Sequence, residues 1–176
     1  NIKPNGVYVD ATFGGGGHSK AILDNLSGGK LYSFDQDLDV NQNLFQDKRF
    51  KFFKSNFRHI KKFLKVEGIE KIDGLLADLG VSSHQINSPK RGFSIRFNEK
   101  IDMRMNMDMN QSAVTILNEY SKQKLIEIFR RYGEFSNSKI IASKIVDFRK
   151  SSEIITTNDL ISCLKNLTPV SKKNKF

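Results

Sequence analysis

The chain has 176 residues, 38% hydrophobic and 27% charged, with a formal net charge of +10. That length holds one domain, or one domain with an insertion, and no run of about 18 apolar residues is present to cross a membrane. The lone cysteine, Cys163, excludes an internal disulfide and a thiolate zinc site, and histidines 18, 59 and 84 show no metal-ligand spacing, so no metal is expected.

A polar lead-in with the turn signal Pro4-Asn5-Gly6 precedes Val7-Tyr8-Val9-Asp10, a short apolar run that reads as a buried strand. Four glycines, Gly14 to Gly17, follow, and then a helix to about Leu26 with Ile22, Leu23 and Leu26 on one face, stopped by Gly28-Gly29. Strand, glycine turn and helix in this order is how α/β folds hold nucleotide-like ligands, because glycine admits a ligand close to the backbone and a helix N-terminus offers unpaired N–H groups. A glycine cluster is by itself more often only a tight loop. The second strand, Lys30 to Asp35, sharpens the reading, since it ends in an acid roughly 20 residues after the glycines, placed to accept hydrogen bonds from ribose hydroxyls. Dinucleotides and S-adenosylmethionine are both held in this layout. The dinucleotide fingerprint lacks its third glycine, because Ser19 stands there, and no Gly-Lys-Ser/Thr follows to make a P-loop. The sequence therefore leans to S-adenosylmethionine.

A helix is expected over Asp37 to Phe45, a third strand over Phe50 to Lys54, and a helix over His59 to Val66 with lysines on its outer face. Ile72 to Gly80 reads as a fourth, nearly apolar strand suited to the middle of a parallel sheet. Strands alternating with helices predict a doubly wound α/β sheet, with Gly16, Asp35, Phe57 and Asp78 at the rim beyond the carboxyl ends of the strands. Val81 to Asn110 reads as a long irregular loop carrying Arg91, Phe93, Arg96, Phe97 and Arg104. Interleaved cations and aromatics suit phosphate contacts and base stacking; equally, the aromatics could pin the loop to the core. All four methionines fall at alternate positions from Met103 to Met109, which fits an inward-packed extended segment better than a ligand box.

From Ser112 on, helical periodicity takes over: Val114 to Leu117, Leu125 to Phe129, Ile140 to Val146, and Leu160 to Leu164 behind an N-cap signal at Thr156 to Asp159. Residues 111–176 carry 12 Lys/Arg against 6 Asp/Glu, and residues 1–110 carry 17 against 13. The helical part is thus the more basic, which favours a polyanionic partner, nucleic acid above membrane, although an AT-rich coding bias also supplies lysine. Ser171 to Lys175 reads as a flexible basic end.

Four blocks together resemble one family: Tyr8 to Ser19 with its Asp-Ala-Thr-Phe-Gly-Gly-Gly-Gly-His-Ser core; Phe34-Asp35-Gln36-Asp37; Asp73 to Ser83; and Arg91-Gly92-Phe93-Ser94 with Asp102-Met103-Arg104-Met105. The chain is similar, over essentially its whole length, to the small-subunit ribosomal RNA (cytosine-N4)-methyltransferases of the H type, bacterial and organellar. Arg130-Arg131-Tyr132-Gly133-Glu134 fits that family's helical insertion. The resemblance implies a partial Rossmann-like class I S-adenosylmethionine methyltransferase sheet over 1–110 and an inserted, mostly helical substrate-recognition subdomain over 111–176. It implies S-adenosylmethionine as cofactor, ribosomal RNA or the small ribosomal subunit as partner, and the cytoplasm of a bacterium, or an organellar matrix, as location. Carried over position by position, the cofactor site falls on Gly16, Gly17, His18, Asp35, Phe57, Asp78 and Gln85. Asp78 is the candidate catalytic group facing the target amine, and Arg91, Phe93, Phe97 and Arg104 are the candidates for substrate contact. His84 stands where proline is usual and Gly15 where arginine is common. A segment before residue 1 and further strands after residue 176 are expected, so the chain reads as truncated at both ends and poorly active alone. Two rival readings stay open: a basic RNA-binding or assembly module with a vestigial pocket, and a dinucleotide-dependent oxidoreductase, which Ser19 disfavours.

Overall fold

Alternation along the first strands sets the layering. In β1 (Val7–Asp10) and β2 (Lys30–Asp35), Tyr8 and Leu31 face one side while Val9, Tyr32 and Phe34 face the other. The computed structural model describes residues 1–37, 39–40 and 44–167. With β3 (Phe50–Lys54) and β4 (Gly74–Leu76) these strands form a parallel four-stranded sheet in the order β3-β2-β1-β4. Helix α1 (Gly17–Asp24) covers the Tyr8/Leu31 side through Ile22 and Leu23, joined by Leu26. Helix α2 (Ile60–Val66) covers the opposite side, where Leu64, Ile60 and Phe63 pack on Val9, Tyr32 and Phe34. The result is the doubly wound α/β layering that the element order predicts. Burying each such side chain contributes on the order of 1.5–3 kcal/mol.

The chain divides into two compact units. The first is Asn1–Ser82 with Met105–Met107; the second is Ser83–Arg104 with the described residues from Asp108 on. In the second unit, α4 (Ala113–Glu119), α5 (Lys122–Arg131), α6 (Ser138–Phe148) and α7 (Thr157–Leu164) enclose Leu117, Leu125, Ile141, Ala142, Ile145, Ile154 and Cys163. The Cys163 thiol is buried there, and burial pushes its pKa up. Residues 99–101 belong to this unit's framework. The N–H of Ile101 donates to the Ile155 carbonyl at 2.9 Å, that of Thr157 to the Glu99 carbonyl at 3.1 Å, and Lys100 bridges Thr156 antiparallel.

Three elements differ from expectation. The strand over Ile72 to Gly80 is only Gly74–Leu76, and it forms an edge of the sheet with Leu75 55% exposed. The segment 81–110 holds a short helix, α3 (Ser83–Asn87), and a 3-10 turn at Pro89–Arg91, because Pro89 starts the turn and Gly92 in the left-handed region ends it. The helix expected over Asp37 to Phe45 falls partly on 38 and 41–43, outside the described residues; Asp37, Leu44 and Phe45 are not helical. The basic end at Ser171 to Lys175 also lies outside them. Among the described residues, no helix is long and apolar enough to cross a membrane, and no cluster of potential metal ligands forms.

Candidate functional site

Parallel pairing brings the carboxyl ends of all four strands to one rim of the first unit. Asp10 registers with Ser33 and with Leu76, and Asp35 with Lys54. Gly16, Gly17, Asp35, Phe57 and Asp78 follow or end these strands and gather at that rim, the side of a doubly wound sheet where ligands bind.

The glycine loop is held from below by a buried acid. Asp10 is fully buried; its Oδ2 accepts from the Ser19 hydroxyl at 2.7 Å and its Oδ1 from the Thr12 N–H at 3.1 Å. The Ser19 hydroxyl lies 2.8 Å from that of Ser33 on β2, also fully buried. One polar cluster thus ties β1, β2 and the first turn of α1 together. Gly16 caps α1 in the left-handed region (φ 79°), where a Cβ would meet the rings of Phe13 and Phe45 at 3.0 and 3.1 Å. At Gly14, Gly15 and Gly17 a Cβ would meet nothing within 4 Å, so this side of the loop lies open. His18 is exposed on the first turn of α1.

Asp35 fixes the loop from above. Its Oδ2 accepts from the Gly14 N–H at 2.8 Å and its Oδ1 from the Asp37 N–H at 2.9 Å. Each carboxylate oxygen keeps lone-pair capacity for a further donor, and the residue is only partly buried. Next to it, Asn56 Nδ2 donates to Gln36 Oε1 at 3.0 Å, and Asn56 Oδ1 accepts from the Arg58 N–H at 2.9 Å, capping the 3-10 turn that presents Phe57, 44% exposed. On the other flank, the N–H of Ala11 donates to the Leu76 carbonyl at 2.8 Å and that of Asp78 to Thr12 Oγ1 at 2.7 Å, which fixes the backbone of the exposed Asp78. These groups fit S-adenosylmethionine: an open glycine face for the methionine part, a partly exposed carboxylate for ribose hydroxyls, and an exposed aromatic ring for adenine.

Gln85 lies in the second unit, buried on α3. The cation-rich segment of that unit is a clasp. Arg91 is buried; its carbonyl accepts from the Met103 N–H at 2.9 Å and its Nη2 donates to the Arg104 carbonyl at 2.8 Å. Arg104 Nε and Nη2 each donate to an Asp102 carboxylate oxygen at 2.8 Å, and Nη1 donates to the Met109 carbonyl at 2.6 Å. The Arg104 hydrogen bonds hold the buried Asp102 carboxyl below its ordinary pKa. Gly92 (φ 70°) passes so close to the opposite strand of the clasp that a Cβ would stand 2.5 Å from the Asp102 nitrogen. The guanidinium groups of Arg91 and Arg104 thus serve the loop's own shape. Phe93 and Phe97 are half-buried, under the guanidinium carbons of Arg91 (5.9 Å) and the exposed Arg96 (5.6 Å).

Asp10, Thr12, Ser19, Ser33, Gln36 and Asn56 also build the rim, and none of them is among the cofactor or substrate residues expected from sequence. The one signal available was an acid closing an otherwise apolar strand at Asp10.

The family model described as the MraW methylase family matches residues 1–176. A protein named ribosomal RNA small subunit methyltransferase H from Flavobacterium psychrophilum is 51% identical over 177 residues, covering 100% of this chain and 61% of its own length. Proteins of the same name from Cytophaga hutchinsonii and Phocaeicola vulgatus are 48% and 49% identical, over 60% and 58% of their lengths. The chain therefore spans about three-fifths of these relatives. A match over every residue, together with half-identity to such relatives, establishes that the chain belongs to the MraW methylase family and has the fold of class I S-adenosylmethionine-dependent methyltransferases.

Proposed function

We propose that the protein transfers a methyl group from S-adenosylmethionine to small-subunit ribosomal RNA, with N4 of a cytosine in the decoding region as acceptor, in the cytoplasm of a bacterium. The observation that carries the reading is Asp35. Its carboxylate pins the glycine loop at Gly14 and still faces solvent at the sheet's ligand-binding rim. Gly16, Gly17 and His18 hold the methionine part, Asp35 the ribose, and Phe57 the adenine; Gln85 is assigned to the cofactor through the resemblance alone. When bound, S-adenosylmethionine supplies an electrophilic methyl group. The exocyclic amine of cytosine is a poor nucleophile because its lone pair is delocalised into the ring. Asp78, fixed through its N–H on Thr12, accepts a hydrogen bond from that amine, turns its lone pair toward attack, and takes up or passes on the proton. In the second unit, Phe93, Arg96 and Phe97 face the RNA, with Arg91 and Arg104 holding their segment in shape.

Calorimetric titration with S-adenosylmethionine is the test. Micromolar binding that Asp35→Ala reduces at least tenfold supports the reading, with methylation of small-subunit RNA following when a longer form is assayed. Absence of binding by the folded chain refutes it. It would favour the second reading, a basic RNA-binding module without turnover.

A further inference from the structure

Two tyrosines flank helix α5, Tyr120 at the C-cap of α4 and Tyr132 at the C-cap of α5, each with a cation from α5 over its ring. Lys124 Nζ stands 5.2 Å from the Tyr120 centroid, and the Arg131 guanidinium carbon stands 5.6 Å from that of Tyr132. Tyr120 is partly buried, and its hydroxyl accepts from Gln111 Nε2 at 2.7 Å. Tyr132 is different: it is 74% exposed, the most exposed aromatic ring among the described residues. Its exposure is built in. The Tyr132 N–H closes the helix on the Ile128 carbonyl at 2.9 Å, and Glu134 then takes the left-handed conformation (φ 55°). The chain folds back so that the Phe135 N–H donates to the Phe129 carbonyl at 3.0 Å. Phe129 and Phe135 meet edge to face, 6.3 Å apart, and pack on the core, while the ring between them in sequence is turned out. A non-glycine residue held at positive φ beside an exposed aromatic is an unfavourable arrangement that points to function. The charge around it is one-sided. Lys122, Lys124, Arg130 and Arg131 are exposed on α5, against the single acid Glu127, which lies 3.9 Å from Arg131 with both side chains about two-thirds exposed. Lys124 and Arg131, seven residues apart, share a helix face about 10 Å apart.

We infer that the exposed basic face of α5, with Tyr132 at its carboxyl end, is a docking element for single-stranded RNA, in which Tyr132 stacks on an unpaired base, Arg130 and Arg131 take the neighbouring phosphates and Lys124 takes one further along the strand. This rests on the ribosomal RNA reading above and adds to it the place and form of RNA that the helical unit engages. An aromatic face stacks on any base that is not already stacked, and cations flanking it follow the backbone.

The test is fluorescence anisotropy with a labelled single-stranded RNA of about twelve nucleotides at low salt. Tyr132→Ala is expected to weaken binding about tenfold, Tyr132→Phe to stay within about twofold, and Arg131→Ala to reduce the slope of log K against log salt by about one. The chain has no tryptophan, so Tyr132→Trp introduces a single reporter whose emission should be quenched by saturating RNA, independently of any loss of affinity. Unchanged affinity in Tyr132→Ala, equal losses in the Ala and Phe variants, or an unquenched reporter overturns the proposal, as does an equal effect on a duplex of the same length. Calorimetry with S-adenosylmethionine on the same variants separates the two readings. If cofactor binds and RNA affinity ignores Tyr132, only the docking proposal falls; if no cofactor binds, the methyltransferase reading falls whatever the RNA result.

Discussion

Removing the hydroxyl of Ser19 tests how the glycine loop is held. In Ser19→Ala, Asp10 Oδ2 loses a 2.7 Å donor and Ser33 Oγ loses a 2.8 Å partner, both inside a site closed to water. Leaving a buried acceptor without its donor costs about 1–3 kcal/mol, and a neutral hydroxyl pair is worth about 0.5–1.5. The expected loss is therefore about 2–4 kcal/mol, or a fall in Tm of roughly 5–15 °C for a chain of this size. Ser33→Ala removes only the neutral pair and should cost about 1 kcal/mol. The double variant should be little worse than Ser19→Ala alone, because the Ser33 contact is already gone. Native-state amide exchange at the β1 and β2 N–H groups, alongside thermal melts followed by circular dichroism, reads the change in the sheet unit directly. A loss below about 0.5 kcal/mol in Ser19→Ala, or strict additivity in the double variant, would falsify the view of one cooperative cluster.

Asp78→Ala should lower kcat at least tenfold while changing S-adenosylmethionine affinity less than threefold, measured by single-turnover methylation and calorimetry; equal losses would reduce Asp78 to a binding group. Gly92→Ala should cost on the order of 2–4 kcal/mol in urea unfolding of the helical unit, from left-handed strain together with a backbone clash, and a neutral result would mean that the clasp yields easily. Asp102 has a lowered carboxyl pKa, so its contribution to stability is present above the ordinary carboxylate pKa of about 4 and is lost as pH falls through the folded value. Carboxyl NMR should find Asp102 titrating below that range and Arg104→Ala returning it there; a folded value at or above about 4 would contradict the pairing.

What the sequence discloses follows from how local each cause is. β2 and β3 can be bounded by eye because Lys30 to Asp35 and Phe50 to Lys54 are short runs rich in aromatic residues between polar turn residues. The start of α7 is just as legible, since the capping box of Thr156 and Asp159 is complete within four residues and the structure forms both of its hydrogen bonds. β4 is shorter than the pattern over Ile72 to Gly80 suggests because Ala77 to Gly80 stays mostly apolar after the ladder with β1 has ended at Leu76. α3 is not legible in the sequence because its five residues, Ser-His-Gln-Ile-Asn, carry no helical periodicity. The Asp10–Ser19–Ser33 cluster shows in the sequence only as an acid closing an apolar strand, for the rest depends on the register that sets Ser33 beside Asp10. Nor did sequence distinguish arginines spent inside the protein, such as Arg91, from those left to the solvent, such as Arg96; only burial separates them.

The two backbone bonds accepted by Asp35 make that residue a keystone as well as a contact. A carboxylate whose oxygens are already committed to Gly14 and Asp37 shapes the loop before any ligand arrives. Replacing it by alanine would therefore remove a ribose partner and let the glycine arch relax in a single stroke, and the measured loss would overstate the ribose contact by the cost of re-forming the arch. Asparagine, which keeps one carbonyl acceptor, would divide those two quantities. Drift at this position is thus penalised twice, once in the empty protein and once in the complex.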